Sequence, residues 1–295
     1  MSYNDKHNAA NGEDNRDGEN HNLSWNCGEE GHIENTNTKV DRIRSSHIRN
    51  FIVSLMLAQG VPMIHMGDEY GHSKDGNNNT YCHDNDLNWF NWELLEQERH
   101  KLFRFTKHLI HFRRNTPEVR QANGEGADSI MWHGIQPSEP DWSDESKLIA
   151  FSMPISGPYG SALYCCYNVS HLPAVVTLPP LPNTSPSSHA WTPFVDTGKP
   201  APLDVLVHDE AMSDSELTQN QQNSKGWMIE NQYPVMQRSC IILLASNNDN
   251  NNAIHNIIST NGETRNKKSS KTMSEEDMRE VERLLAENKK LRSKL

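Results

Sequence analysis

Residues 59–92 read QGVPMIHMGDEYGHSKDGNNNTYCHDNDLNWFNW, and their order decides the fold class. Residues 61–66, VPMIHM, form a short apolar run with its proline near the start, where a strand tolerates the missing N–H, so a buried parallel strand is predicted there. Upstream, Ile48, Phe51, Ile52, Leu55 and Met56 recur at helical spacing within residues 42–59, and Gly60 stops the helix. A helix running directly into a buried strand is an α/β signature. Downstream, residues 67–92 are too polar and glycine-rich for a regular element, yet they carry Tyr70, Tyr81, Trp89, Phe90 and Trp92. A long loop of this kind at the C-terminal end of a strand is where α/β proteins keep their chemistry. A second amphipathic helix is predicted over residues 94–114, with Leu102, Phe105, Leu109, Ile110 and Phe112 on one side and Pro117 beyond its end.

Outward from this centre the pattern changes twice. Residues 1–37 are rich in Asn, Gly and Asp with almost no aliphatic side chain, so they are either disordered or a long functional loop. From Ser129 onward, strand-like runs at 130–133, 148–151, 162–167, 174–178, 192–195 and 239–244 alternate with Pro, Gly and Ser clusters, which predicts a small antiparallel β-sandwich or barrel. Residues 247–272 are low-complexity and predicted to be disordered. In residues 273–295, Val281, Asn288 and Leu295 stand seven apart with Leu284 and Leu291 on the other seam position. Two heptads support only a weak coiled coil, so this tail reads as a frayed helix with a dimer seam as the alternative.

Composition narrows the function classes. The 295 residues are 34% hydrophobic with a net charge of −11, a field that repels phosphate backbones and anionic lipid and argues against nucleic acid and membrane surfaces as partners. No apolar run reaches the roughly 20 residues of a spanning helix, and no targeting segment is visible at the start. Cys27, Cys82, Cys165, Cys166 and Cys240 are odd in number and scattered, which suits a reducing, intracellular compartment.

Two motif-like stretches lead nowhere. Cys27 and His32 fall at two positions of a zinc knuckle, but the other two hold Ser24 and Asn37. Asp75, Asn77 and Asn79 imitate a calcium loop whose sixth position, Thr80, should be glycine. No metal site and no cofactor is therefore expected. Asp68 and Glu69 are adjacent carboxylates that normally point to different sides, which suits an orienting role better than joint catalysis.

Residues 2–31, SYNDKHNAANGEDNRDGENHNLSWNCGEEG, and then GVPMIHMGDEYG (60–71) followed by GNNNTYCHDNDLNWFNW (76–92), closely resemble the isoamylase and glycogen-debranching branch of the α-amylase superfamily. The resemblance spans residues 2 to about 117 with high specificity, is looser through 246 and does not extend to the last fifty residues. It implies a fold that is α/β plus β: residues 1–117 as the C-terminal portion of a TIM (β/α)8 barrel, with residues 1–37 as the loop after strand seven and 61–66 as strand eight. Residues 118–246 are then the C-terminal antiparallel β-sandwich, while outside the resemblance the composition alone keeps 247–272 as a disordered linker and 273–295 as a short helix with a heptad pattern.

The same resemblance implies retaining hydrolysis of α-1,6 branches in a glycogen- or amylopectin-type α-glucan by an Asp nucleophile, a Glu acid/base and a third carboxylate. All three belong to earlier strands, the last expected shortly ahead of Met1, so no catalytic residue is assigned here. Trp25, Asp68, Glu69, Asn77, Asn78, Asn79, Tyr81, Asp84 and Trp89 are the candidates for substrate contact, because amide and aromatic side chains suit sugar hydroxyls and pyranose faces. The compartment implied is cytoplasm or plastid. Two function classes stay open: part of an isoamylase-like hydrolase, inactive alone, or a non-catalytic glucan-binding or regulatory subunit. Either could associate as a homo- or hetero-oligomer through residues 273–295 or an exposed barrel edge.

Overall fold

A computed structural model describes residues 1–32, 38–120, 129–181, 190–206 and 231–246. The low-complexity segment and the heptad tail lie outside the described residues.

The first helix, α1 (Lys39–Leu57), is opened by Thr38, whose side chain accepts the Asp41 N–H, and it ends where Ala58 turns extended ahead of Gly60. Its deeply buried residues include Arg49, Ile52, Val53 and Met56, at the i, i+3, i+4, i+7 spacing of one helix face. Phe51, expected on the inner stripe, is instead 64% exposed. The segment FIVSLML is apolar nearly all round, so periodicity alone could not choose the face, and Val53 won the position.

Residues 61–66 correct the expectation of a buried strand. Among the described residues they have no strand partner, and Val61 (95%) and Met63 (86%) face solvent. A parallel strand exists only through neighbours on its edges, and among the described residues every strand pairing is antiparallel. The predicted helix over 94–114 is likewise two helices, α2 (Trp92–Gln97) and α3 (Leu102–Arg114). The first has no buried residue to anchor it, whereas α3 buries Phe105, Leu109 and Phe112 completely.

Among the described residues seven strands follow: β1 (Met131–His133), β2 (Leu148–Pro154), β3 (Ala162–Asn168), β4 (Ala174–Thr177), β5 (Ala190–Asp196), β6 (Gln232–Val235) and β7 (Ser239–Ser246). Five form an antiparallel sheet in the order β1-β2-β3-β7-β5, and β4 pairs with β6. Pro193 lies in the edge strand β5 beside a register shift, where the absent N–H costs no ladder bond.

Strand alternation gives the central sheet two apolar faces. Tyr164, Cys166, Ile241 and Leu243 point toward β4 and β6, meeting Val176, Tyr233 and Val235, so the two sheets pack face to face as a β-sandwich. Leu163, Cys165, Ile242 and Leu244 point the other way, onto Val53, Met56, Phe105, Leu109 and Phe112 of the helices. The result is three layers, helices on sheet on sheet, with β3 and β7 buried from both sides. Their near-continuous apolar runs follow from that double burial.

Buried cations join the layers. Asp204 is wholly buried and takes Arg49 of α1 at 2.8 Å together with Arg104 of α3. Arg113 donates to the carbonyls of Met56 (2.6 Å), Ala58 (2.8 Å) and Gly60 (2.6 Å), satisfying the C-terminal end of α1. Arg44 does the same for the N-terminal segment, reaching the carbonyls of Gly31 at 2.6 Å and Asn26 at 2.9 Å.

Candidate functional site

The site is built where residues 1–32 meet the loop after residue 66. The N-terminal stretch holds a single turn of 3-10 helix, Ala9–Asn11, and is fixed by side-chain amides instead of an apolar core. Asn8 is fully buried; its Nδ2 donates to Asn78 Oδ1 (2.8 Å) and its Oδ1 accepts the Asn78 N–H (3.0 Å). Asn11 Oδ1 accepts from Asn77 Nδ2 and from His83 Nε2, both at 2.6 Å. Asp17 Oδ2 accepts from Asn11 Nδ2 (2.6 Å) and Asn79 Nδ2 (2.8 Å), and these two bonds hold its carboxyl below the usual range.

Asn78 Nδ2 completes the lattice on the Glu19 carbonyl (2.9 Å) and Asn22 Oδ1 (3.1 Å). Glu30 plays a parallel role, accepting the Asn4 N–H, Asn26 Nδ2 and His7, which lowers its pKa to about 2. Gly76 has φ +81°, and a Cβ there would stand 2.6 Å from the His7 ring, so the two segments touch only because this residue has no side chain.

The loop is stiffened from below by aromatic contacts. Tyr70 is buried, accepts the Asn91 N–H at 2.9 Å and meets the Phe90 ring edge-on at 4.8 Å. His72 Nε2 bonds the Leu87 carbonyl at 2.9 Å and its Nδ1 lies 3.2 Å from the Tyr70 hydroxyl, which fixes the Nε2–H tautomer.

The nine candidates for substrate contact divide by position. Asn77, Asn78 and Asn79 are brought together, with their amides committed to the lattice. Trp89 donates Nε1–H to Asp84 at 2.8 Å and is 54% exposed, while Tyr81 is 87% exposed. Asp68 accepts the His65 N–H (3.1 Å) and Glu69 the Gly67 N–H (2.9 Å), both within their own turn. Trp25 stands apart, beneath the Arg238 guanidinium at 4.6 Å and edge-on to His47 at 5.4 Å. Tyr81 and Trp89 thus expose rings from a loop that is itself hydrogen-bonded in place, an arrangement able to make stacking contacts. Among the described residues no group of three His, Cys, Asp or Glu forms a metal-ligand set. His32 bonds Asp75 at 2.6 Å, while Cys27 Sγ lies 3.8 Å from the Trp25 carbonyl.

Sequence reasoning missed Asn8, Asn11 and Asp17, the half of the lattice that lies in the N-terminal segment. Their signal was present as the shared Asn enrichment of residues 1–37 and 76–91, two segments able to satisfy each other. It also missed Trp132 and Trp142, whose proximity only the folded strand and its following loop create.

A helical layer on an antiparallel β-sandwich, with an amide- and aromatic-rich loop surface beside it, defines a sandwich-bearing protein. Residues 131–243 match the family model described as Isoamylase 1-3, C-terminal. The chain is 45% identical over 244 residues to isoamylase 1, chloroplastic, of Arabidopsis thaliana, covering 83% of this chain and 30% of that protein. It is 48% identical over 245 residues to isoamylase 1, chloroplastic, of Oryza sativa subsp. japonica, covering 82% and 28%. A glycogen debranching enzyme of Erwinia tasmaniensis is 45% identical over 147 residues, covering 48% and 22%. The chain belongs to the isoamylase and glycogen-debranching branch of the α-amylase superfamily, and it spans 30% or less of the length of these relatives. Among solved structures, a pullulanase from Bacillus acidopullulyticus superposes with a TM-score of 0.47 at 17% identity, over 71% of this chain and 21% of that one.

Proposed function

We propose that this chain provides glucan-contacting loops and the C-terminal sandwich of an isoamylase-type α-1,6-glucosidase acting on branched α-glucan of the glycogen or amylopectin type. The observation that carries the reading is the amide lattice. Asn8, Asn11, Asn77, Asn78 and Asn79 lock two core-less segments into one surface, from which Tyr81 and Trp89 present exposed rings. In this reading Tyr81 and Trp89 stack on pyranose faces, Asp84 orients Trp89, Asp68 and Glu69 shape the turn beneath, and Trp25 packs at the flank. Residues 61–66, whose Val61 and Met63 are exposed while Ile64 packs against the core and which have no strand partner among the described residues, fit a strand of a (β/α)8 barrel whose remaining strands supply the reacting carboxylates. The heptad tail or that barrel edge provides a self-association surface. Cytoplasm or plastid, where such glucans are held, is the compartment.

Hydrolysis needs a positioned acid and nucleophile, which a binding surface cannot replace. Purified chain is therefore expected to be retarded in an amylopectin gel while releasing no reducing ends from amylopectin, and Tyr81→Ala with Trp89→Ala should relieve much of the retardation. Reducing ends above a boiled control would place catalytic groups within this chain. Retardation unaffected by the double substitution would remove the loop from the glucan surface and favour a non-catalytic subunit that binds elsewhere.

A further inference from the structure

The sandwich carries a second aromatic surface that the loop site does not use. Trp132, in β1 at the edge of the five-stranded sheet, is 41% exposed, and Trp142, in the following loop, is 64% exposed. Their ring centroids lie 5.5 Å apart with planes at 70°, and Phe151 backs Trp132 at 5.6 Å. Two indoles thus form an open corner.

The corner is held rigidly. The buried His133 accepts the Ser138 N–H at 2.8 Å, and Asp141 accepts the Ser143 N–H at 3.0 Å. The Glu139 carbonyl sits where a Cβ on Gly134 would be, so the hairpin closes only around glycine. A surface that exposes two tryptophans while spending this much hydrogen bonding on their placement is preorganised for a ligand.

Charge selects the ligand class. Glu139, Asp141, Asp144 and Glu145 flank Trp142 along the loop and are all exposed, outnumbering the single exposed cation there, Lys147. Acidic ligands are repelled, and a second copy of this chain, net charge −11, would bring the same four carboxylates against them. A neutral polyol meets both features: its C–H faces stack on indoles and its hydroxyls donate to carboxylates. An α-1,4-linked glucan chain is curved, so successive sugar faces turn relative to one another, as the two rings do. Trp132 also lines a 320 Å³ groove with Leu57, Val119, Ile130, Phe151 and Met153, whose largely apolar walls offer fewer partners for sugar hydroxyls.

We propose that Trp132 and Trp142 form a second glucan-binding surface, on the sandwich, that grips an α-1,4-linked chain independently of the Tyr81 and Trp89 loop. The choice of glucan as ligand rests on the debranching reading above, but the site does not require the loop.

Affinity electrophoresis of the full chain through amylopectin gels tests it. Trp142→Ala is expected to weaken retardation about tenfold, the loss of one stacking face, with an unchanged melting temperature. Trp142→Phe, which keeps a ring face, should recover part of it. Tyr81→Ala with Trp89→Ala should leave a retardation that Trp142→Ala then removes. Full retardation of Trp142→Ala alongside loss in the loop double variant would overturn this proposal and leave the loop reading standing. Loss in Trp142→Ala with a loop variant like wild type would support the second site and sink the loop. A wild-type chain unretarded by any α-glucan, or one whose Trp142 fluorescence responds to a basic peptide and not to maltoheptaose, would overturn the proposal.

Discussion

His133 is fully buried, accepting the Ser138 N–H at Nδ1 and donating Nε2–H to Ser152 Oγ at 2.8 Å, so only the neutral ring satisfies both partners. Burial holds its pKa below the ordinary 6.5. Below that pH the unfolded chain binds a proton that the folded one refuses, so the histidine's contribution to stability is intact above 6.5 and is lost as pH falls from there toward the folded pKa. His47, lowered by burial and then by Arg238, acts with the same sign. In denaturant titrations, the stability advantage of wild type over His133→Gln should shrink between about pH 7 and pH 5; a constant gap would show that the ring does not titrate in this way. At this scale the sequence was only half legible. Asn77, Asn78 and Asn79 stood out as a run, but their partners Asn8, Asn11 and Asp17 are some sixty to seventy residues away, and side-chain pairing leaves no periodic trace.

Between elements, Asp204 binds Arg49 of α1 and Arg104 of α3 with almost no solvent access. Removing one partner of a buried ion group strands charge in the interior, so Asp204→Asn should cost about 3–5 kcal/mol in chemical denaturation. A loss under 1 kcal/mol would mean that this ion group contributes little to holding the helices on the sandwich. The strand runs predicted at 148–151, 162–167 and 239–244 correspond to β2, β3 and β7 because hydrophobic alternation and turn residues write themselves locally. β6 escaped notice, being four residues with a proline inside. Residues 61–66 failed in the opposite sense, expected as a strand and found without one: their composition is that of a buried strand, but a strand's existence depends on neighbours that local composition does not encode. The face of α1 was equally undetermined until the sandwich selected Val53 over Phe51.

For the molecule as a whole, the central sheet is covered on one face by helices and on the other by β4 and β6, and the polar loops, where the proposed binding surfaces lie, stand outside both cores. No described helix is long and apolar enough to cross a membrane, and the charge of −11 disfavours anionic ligands. The central claim is that these surfaces bind α-glucan by themselves. Isothermal titration of the purified chain with maltoheptaose tests it most directly. The account predicts saturable heat that falls stepwise when Trp142 and then Tyr81 and Trp89 are replaced by alanine; no heat above dilution for the folded wild-type chain would contradict it.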